Sequence, residues 1–369
     1  MFTASRLIHA RKRRRMTLAK LSQASDISVR SLTAFENGHK SPSGDTLLSL
    51  ARALELPPSF FSAGDLSEIP VNEASFRALT KTSALDRDAA LSAGSFAVSI
   101  NDWIEARFDL PRADVPTFPH LEPEQAAELL RARWGLGESP IGNMIRLLEA
   151  HGIRVFSLAV DCSSVDAFSI RHNGNQPFIF LNTQKSGERG RFDAAHELGH
   201  LVLHSEHRIP HGPEAEREAQ QFASAFLMPK SGLLAQDLHN ASLDRIMKAK
   251  RKWNVAAMAL TYRLHELGLT SDWIYRVTAK QLSQMGYRRS EPDGIPRETS
   301  HLLTKVFATL REKGISASQV AEAVHLNLDE LNKHIFGLAP IALEGGRETT
   351  SPVRPKLQLI ESGAASSKR

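Results

Sequence analysis

The first 61 residues carry their apolar positions in short blocks at helical spacing: Leu7 and Ile8, Leu18 and Leu21, Val29 with Leu32 and Phe35, then Leu47, Leu48, Leu50, Ala51 and Leu54. Ser25-Asp26, Asn37-Gly38, Ser41-Pro42-Ser43 and Pro57-Pro58 break the pattern between and after these blocks. A bundle of four or five short helices is predicted. The polar stretch 63–71, with Gly64 and Pro70, reads as a linker. Residues 76–109 read as helical, with Phe76, Leu79, Leu85, Leu91, Phe96, Ile100, Trp103 and Ile104 on the apolar face. After Pro111, Pro116 and Pro119, helices are expected at 122–134 and 141–151. The period then changes to strands at 153–160, 167–170 and 178–182, the last two joined at the hairpin signal Asn173-Gly174. Helices are expected again at 213–227, 242–252, 254–267 and 299–313. The tail from 345, rich in Gly, Ser, Pro and Lys, is expected to be disordered. The chain therefore reads as mainly α with a small β-sheet, an α+β protein, and shows no repeat of fixed period.

The helix that follows the sheet carries the most informative chemistry. Residues 191–204 read Arg-Phe-Asp-Ala-Ala-His-Glu-Leu-Gly-His-Leu-Val-Leu-His. His196 and His200 are four apart, so on a helix both imidazoles leave one face at a separation a single metal ion can bridge. Glu197, beside the first of them, is the candidate catalytic base: a bound Zn2+ acidifies a water, and a neighbouring carboxylate takes its proton. Leu198, Leu201, Val202 and Leu203 bury the rest of the helix. A catalytic zinc needs a third protein ligand. The segment 214–229 offers Glu214, Glu216 and Glu218, of which Glu218 is the choice, because its spacing from Phe222 and Ala225 puts it towards the core. Glu214 and Glu216 fall in the polar first turn, where acids favour a helix N-terminus. His204, His207 and His211 are alternative ligands.

On these residues the run from about 150 to 277 resembles the ImmA/IrrE family of zinc metallo-endopeptidases, through His-Glu-Leu-Gly-His-Leu-Val-Leu-His, Glu218-Ala-Gln-Gln-Phe-Ala followed by Leu-Met-Pro, and Ala259-Leu-Thr-Tyr-Arg-Leu-His-Glu-Leu-Gly268. The resemblance implies a zincin-like fold, Glu218 as the third zinc ligand, and cleavage of a partner repressor rather than general proteolysis. Gln220 stands where the family usually has Asn, which touches no ligand.

Charge changes the picture at the N-terminus. The 369-residue chain is only +5 overall, yet residues 1–64 hold ten basic residues against four acidic, a net of +6. That end suits a polyanion. Segment 5–61 resembles the XRE, or Cro/repressor-type, helix-turn-helix family: Met16-Thr-Leu-Ala-Lys-Leu-Ser fits the first motif helix, Ser25-Asp26-Ile27 the turn, Ser28 to Glu36 the recognition helix, and Glu36-Asn-Gly-His-Lys-Ser-Pro-Ser43 the exit. The resemblance puts Val29, Arg30, Thr33 and Ala34 towards the major groove of a double-stranded DNA operator, with Arg30 pairing guanine and Val29 and Ala34 meeting thymine methyls. Lys40 and Arg14 would hold phosphates.

The expected organisation is a helix-turn-helix domain (1–64), a helical connector (72–120), a zinc metallopeptidase domain (121–280), a helical C-terminal region (281–344) and a disordered tail (345–369). Residues 315–331 repeat the helix-turn-helix rhythm without a basic face, which suggests packing or homodimerisation. A hydrophobic content of 41% is enough for ordinary cores, and a single cysteine, Cys162, with no signal-peptide pattern and no membrane-length apolar run, points to the cytoplasm. Two functions are compatible with the motifs. One is a transcription regulator that cleaves itself or a cognate repressor, and the other is a transcription factor whose zinc domain is a sensor or scaffold. Glu197 favours the enzyme, since a structural zinc needs no base.

Overall fold

The computed structural model describes residues 1–71, 74–76, 83–158, 165–204, 212–287 and 290–338. Helices α1 (Ala4–Arg13), α2 (Leu18–Ser25), α3 (Val29–Glu36) and α4 (Gly44–Leu54) form the N-terminal bundle that the apolar blocks predict. The side chains of Thr17, Ser28 and Ser43 accept the N–H groups of Lys20, Ser31 and Thr46, satisfying the exposed starts of α2, α3 and α4. Asp26 ends α2 in the left-handed region, φ 57°, which a short polar side chain tolerates, and it turns the chain into α3. The 3-10 turn Pro58–Ser62 then buries Phe60 and Phe61 under the bundle.

The stretch read as a linker does not run through solvent. Leu66 and Ile69 are buried in the core beneath the bundle. It leads to a short strand, β1 (Ser75–Phe76), where the hydrophobic pattern suggested helix, and then to α5 (Ala84–Glu105). Leu79 of the expected helical face lies outside the described residues, as do Cys162, His207, His211 and the tail from 345. Next come α6 (Pro123–Arg133), α7 (Met144–Ala150), β2 (Arg154–Leu158), β3 (Ala167–His172), β4 (Gln176–Asn182), α8 (Gly187–Leu203) and α9 (Pro213–Leu227). The chain continues through α10 (Lys230–Leu234), α11 (Leu243–Trp253), α12 (Ala257–Glu266), α13 (Asp272–Gln284), α14 (His301–Glu312), α15 (Ala317–Ala323) and α16 (Leu328–His334). The bounds of α9 match the sequence expectation to the residue, whereas α10 and α13 were not expected.

The four strands lie in the order β1-β3-β4-β2. β3 is antiparallel to both neighbours, turning into β4 at Asn173 and Gly174, both of positive φ, and β2 runs parallel to β4. Both faces of this sheet are covered. Phe156, Leu158, Phe168, Ile170, Phe178 and Phe180 belong to one core, shared with α5, the N-terminal bundle and helices α14 to α16. Val155, Ala167, Ile179 and Leu181 belong to a second, shared with α6 to α13. Strand residues alternate in direction, so two apolar sets on one strand require two packed layers. Contact on the first side is close: a Cβ at Gly94 of α5 would lie 2.8 Å from Ile69 Cδ1 and 3.1 Å from Phe168 Cζ.

The C-terminal helices join the two ends of the chain. Val320, Ala321, Val324, Leu331 and Ile335 pack into the core that contains the bundle. On α16, Glu330 accepts from Arg13 Nε at 2.7 Å and Arg14 Nη1 at 2.9 Å, and the Arg13 and Glu330 side chains are both 0% exposed. Ser157 of β2 donates to the Lys333 carbonyl and accepts from the Phe336 N–H, both at 2.8 Å, which ties the far end of α16 to the sheet.

Removing one member of a buried ion pair leaves the other uncompensated. Glu330→Ala is expected to lower unfolding stability by about 3–5 kcal/mol, read by urea titration. Burial works against the Glu330 carboxylate, but His334, Arg13 and Arg14 outweigh it and hold the carboxyl well below its usual range. Its folded pKa is depressed, so its stabilisation is complete above the unfolded glutamate pKa and is lost as pH falls through the folded value. The wild-type unfolding free energy should therefore drop more steeply on acidification below about pH 4.3 than that of Glu330→Gln. Parallel slopes would show that Glu330 carries no such coupling.

Candidate metal centre and DNA-facing surface

Helix α8 is set between the sheet and α9 by its own sequence. The Ser186 hydroxyl caps its start by accepting the Arg189 N–H. The Arg191 guanidinium pairs with Glu298 and donates to the Ile141 carbonyl at 2.7 Å, which anchors the first half. Leu198 and Val202 are fully buried towards the sheet and α9. In the helical hairpin of α8 and α9 the two helices are in close contact at Gly199, where a Cβ would stand 3.0 Å from the Phe222 ring and 3.2 Å from Ala219 Cα.

That crossing sets which acid of α9 meets the histidines. His196 Nε2 and His200 Nε2 are 3.1 Å apart, and the Glu216 carboxylate oxygens lie 3.3 Å from the first and 3.5 Å from the second. Two ligands of one tetrahedral ion with bonds of about 2.0–2.1 Å stand roughly 3.3 Å apart. Two imidazoles and a carboxylate at that spacing, with both histidines buried, fit a zinc ion. Glu216 is three residues before Ala219, so it sits one turn from the contact point on the same face. Glu218, the sequence choice, is placed elsewhere: its Oε2 lies 3.0 Å from Nε2 of His204. The apolar spacing of Glu218 from Phe222 was a true signal of proximity to α8, but it leads one turn past the two histidines. The pair of small residues Gly199 and Ala219 was the signal that could have found Glu216.

Burial raises the Glu216 carboxyl, yet its hydrogen bonds and charge interactions with His196 and His200 outweigh burial and leave it at about 2. Burial lowers the His204 imidazole, and the neighbouring His200 adds to the effect. Glu197 is buried on the turn between the two histidines, and its Oε2 accepts the Ser169 hydroxyl of β3 at 2.8 Å. The strand thus orients the candidate base, a role that nothing in the sequence pattern marked. A cavity of about 590 Å³ is lined by Phe192 and Asp193 of α8 and Gln220 of α9, with Tyr262, Tyr275 and Tyr287; His196, Glu197, His200 and Glu216 are not among its lining residues.

At the N-terminus, Val29, Arg30 and Thr33 of α3 are exposed, Ala34 is half-buried and Lys40 is exposed on the exit loop. Arg14 is not on this surface. Its side chain is 8% exposed and binds Glu330 and the Leu54 and Glu55 carbonyls, so the phosphate contact expected of it is not available. Most of the basic run is neutralised in the same way: Arg11 pairs with Glu36, Lys12 with Asp88 at 3.8 Å, Arg13 with Glu330 and Arg15 with Asp86. Arg15, which pairs with Asp86, and Lys20, Arg30, Lys40 and Arg52 are the exposed basic residues of the bundle. Net charge alone could not separate these two groups.

A capped helix-turn-helix bundle and an H-E-x-x-H helix facing a third acid define a DNA-binding protein fused to a metallopeptidase-type domain. The family models make the class specific: residues 7–61 match the helix-turn-helix family, of XRE type, and residues 148–265 match the IrrE N-terminal-like domain, of ImmA/IrrE type. No curated protein matches the chain significantly. Among the described residues no helix is long and apolar enough to cross a membrane.

Zinc content tests the centre. About one zinc per chain is expected by elemental analysis, lost in His196→Ala and His200→Ala, with Glu216→Ala binding more weakly than Glu214→Ala. Full zinc in the double histidine variant would remove the site from α8.

Proposed function

We propose that the chain is a transcriptional regulator that binds a double-stranded DNA operator and, through its zinc-dependent domain, cleaves a protein target, either the chain itself or a cognate repressor. The observation that carries this reading is the position of Glu197, buried on the turn that carries the two metal-facing histidines and held by Ser169. His196, His200 and Glu216 would hold the ion, and among the described residues no fourth ligand joins them, which suits a catalytic rather than a structural zinc site. When bound, zinc supplies Lewis acidity towards a water and a peptide carbonyl. Glu197 would take the proton, and its hydrogen bond to Ser169 would hold the carboxylate in place. On the DNA side, the start of α3 presents Val29, Arg30 and Thr33 with Ala34, and Lys40 lies beyond its end, the arrangement that suits base contacts followed by a phosphate contact.

Glu197→Gln preserves shape and can still meet Ser169, so zinc content and DNA affinity should remain at wild-type values. Cleavage of the chain or of a candidate repressor, followed on gels, should fall by about 10²- to 10⁴-fold. Undiminished cleavage with full zinc would overturn the mechanism, and a wild-type protein inert towards every candidate would favour a zinc domain that only senses or scaffolds.

DNA contacts separate by kind. Arg30→Ala is expected to weaken binding to the operator more than to random DNA, while Lys40→Ala weakens both and lowers the salt-dependence slope by about one. Arg14→Ala should act on stability first. Titrations on both DNAs at several salt concentrations check this, and equal losses for Arg30→Ala on the two would make it a backbone contact.

A further inference from the structure

A histidine that binds a metal through one ring nitrogen is commonly held by a hydrogen bond at the other, which sets its tautomer and ring angle. The two histidines of the centre differ in this respect. Nδ1 of His196 meets no hydrogen-bond partner among the described residues. Nδ1 of His200 lies 2.9 Å from Nδ1 of His204, and Nε2 of His204 lies 3.0 Å from Oε2 of Glu218. The spacing i, i+4, i+8 stacks His196, His200 and His204 along one side of α8, with successive ring centroids 4.8 and 5.0 Å apart, and α9 closes the series with Glu218. The His204 side chain is only 4% exposed, so water is a poor substitute for these partners.

We propose that Glu218 and His204 form a relay that positions the metal ligand His200; this rests on the His196, His200 and Glu216 centre described above. The protons along the relay allow one arrangement. With Nε2 of a neutral His200 turned to the ion, its single ring proton sits on Nδ1 and is donated to Nδ1 of His204. His204, accepting there, carries its own proton on Nε2. That N–H is donated to the Glu218 carboxylate, which only accepts. Any other placement sets two protons or two lone pairs against each other. Glu218 thereby fixes the tautomer of His204, and His204 fixes that of His200. Both are positioning residues. His204 is not itself a ligand in this arrangement, because coordinating through Nε2 would break its contact with Glu218.

The test uses the full-length protein. Zinc affinity is measured by competition with a chromophoric chelator, the absorption spectrum of the Co2+-substituted protein reports the ligand set, and thermal unfolding of the metal-free protein controls for folding. His204→Phe and Glu218→Gln should each weaken zinc binding by about 10- to 100-fold. The Co2+ intensity should keep the wild-type coordination number with shifted bands. His196→Ala and Glu216→Gln should lose more affinity and change the spectrum. Because the relay works as one unit, the double variant of His204 and Glu218 should lose no more than His204→Phe alone. Should His204→Phe fail to fold, Glu218→Gln carries the test, since that side chain is 32% exposed. Unchanged affinity in the folded variants, or strictly additive losses, would overturn the relay. A Glu218→Gln protein matching Glu216→Gln in loss and spectrum would make Glu218 a ligand instead. Wild-type zinc affinity in His196→Ala would remove the centre, and with it the relay.

Discussion

A sheet with phenylalanines on one face and valine, isoleucine and leucine on the other cannot leave either side in water, and the architecture follows from covering both. The inner layer is α8 and α9, which bring the metal-facing residues against β3. The outer layer begins with α5, which packs on the aromatic face of β3 and β4. The N-terminal bundle and the C-terminal helices complete it, sharing one core with the strands. The DNA-binding bundle is thus packed with the back of the sheet that carries Ser169 on β3. Glu330 adds an electrostatic join to this hydrophobic one, neutralising Arg13 and Arg14 where two parts of the chain more than 300 positions apart meet.

The chemistry of the centre is governed by helix spacing more than by any single strong bond. Gly199 and Ala219 let α8 and α9 approach closely, and that approach brings Glu216 within reach of two imidazoles one turn apart. A side chain in place of the Gly199 hydrogen would push the acid outwards while leaving every ligand residue in the sequence. The same register places His204 beside Glu218, so one helix crossing sets both the candidate ligands and the proposed relay.

Much of this was legible from residue order. The apolar blocks of the first 61 residues give the bundle, since each block is bounded by a capping or breaking residue. The alternation around Asn173-Gly174 gives the hairpin, and H-E-x-x-H gives the pairing of His196 with His200 because four-residue spacing on a helix is itself geometry. Where tertiary contact decides, the sequence was silent or misleading. Glu216 and Glu218 differ by two positions on one helix, and only the crossing point distinguishes them. Arg14 and Arg30 are chemically alike, yet one is held by Glu330, 316 residues away, and the other faces solvent. β1 is two residues long, too short to show any period, and its existence depends on β3 lying alongside.

That short strand bears on how a polypeptide could reach the centre. Ser75 is opposite Ser169, the residue that holds Glu197, so the backbone of β3 is paired with β4 on one side and, at this position, with the chain's own connector on the other. A peptide entering by strand addition would form main-chain bonds along such an edge. Here it competes with a tethered segment whose effective concentration is of the order of mM, a tether's usual range. Occupancy by an outside strand would then be set by the difference between two pairings rather than by the strength of one, which would disfavour weakly pairing peptides without any specific contact against them.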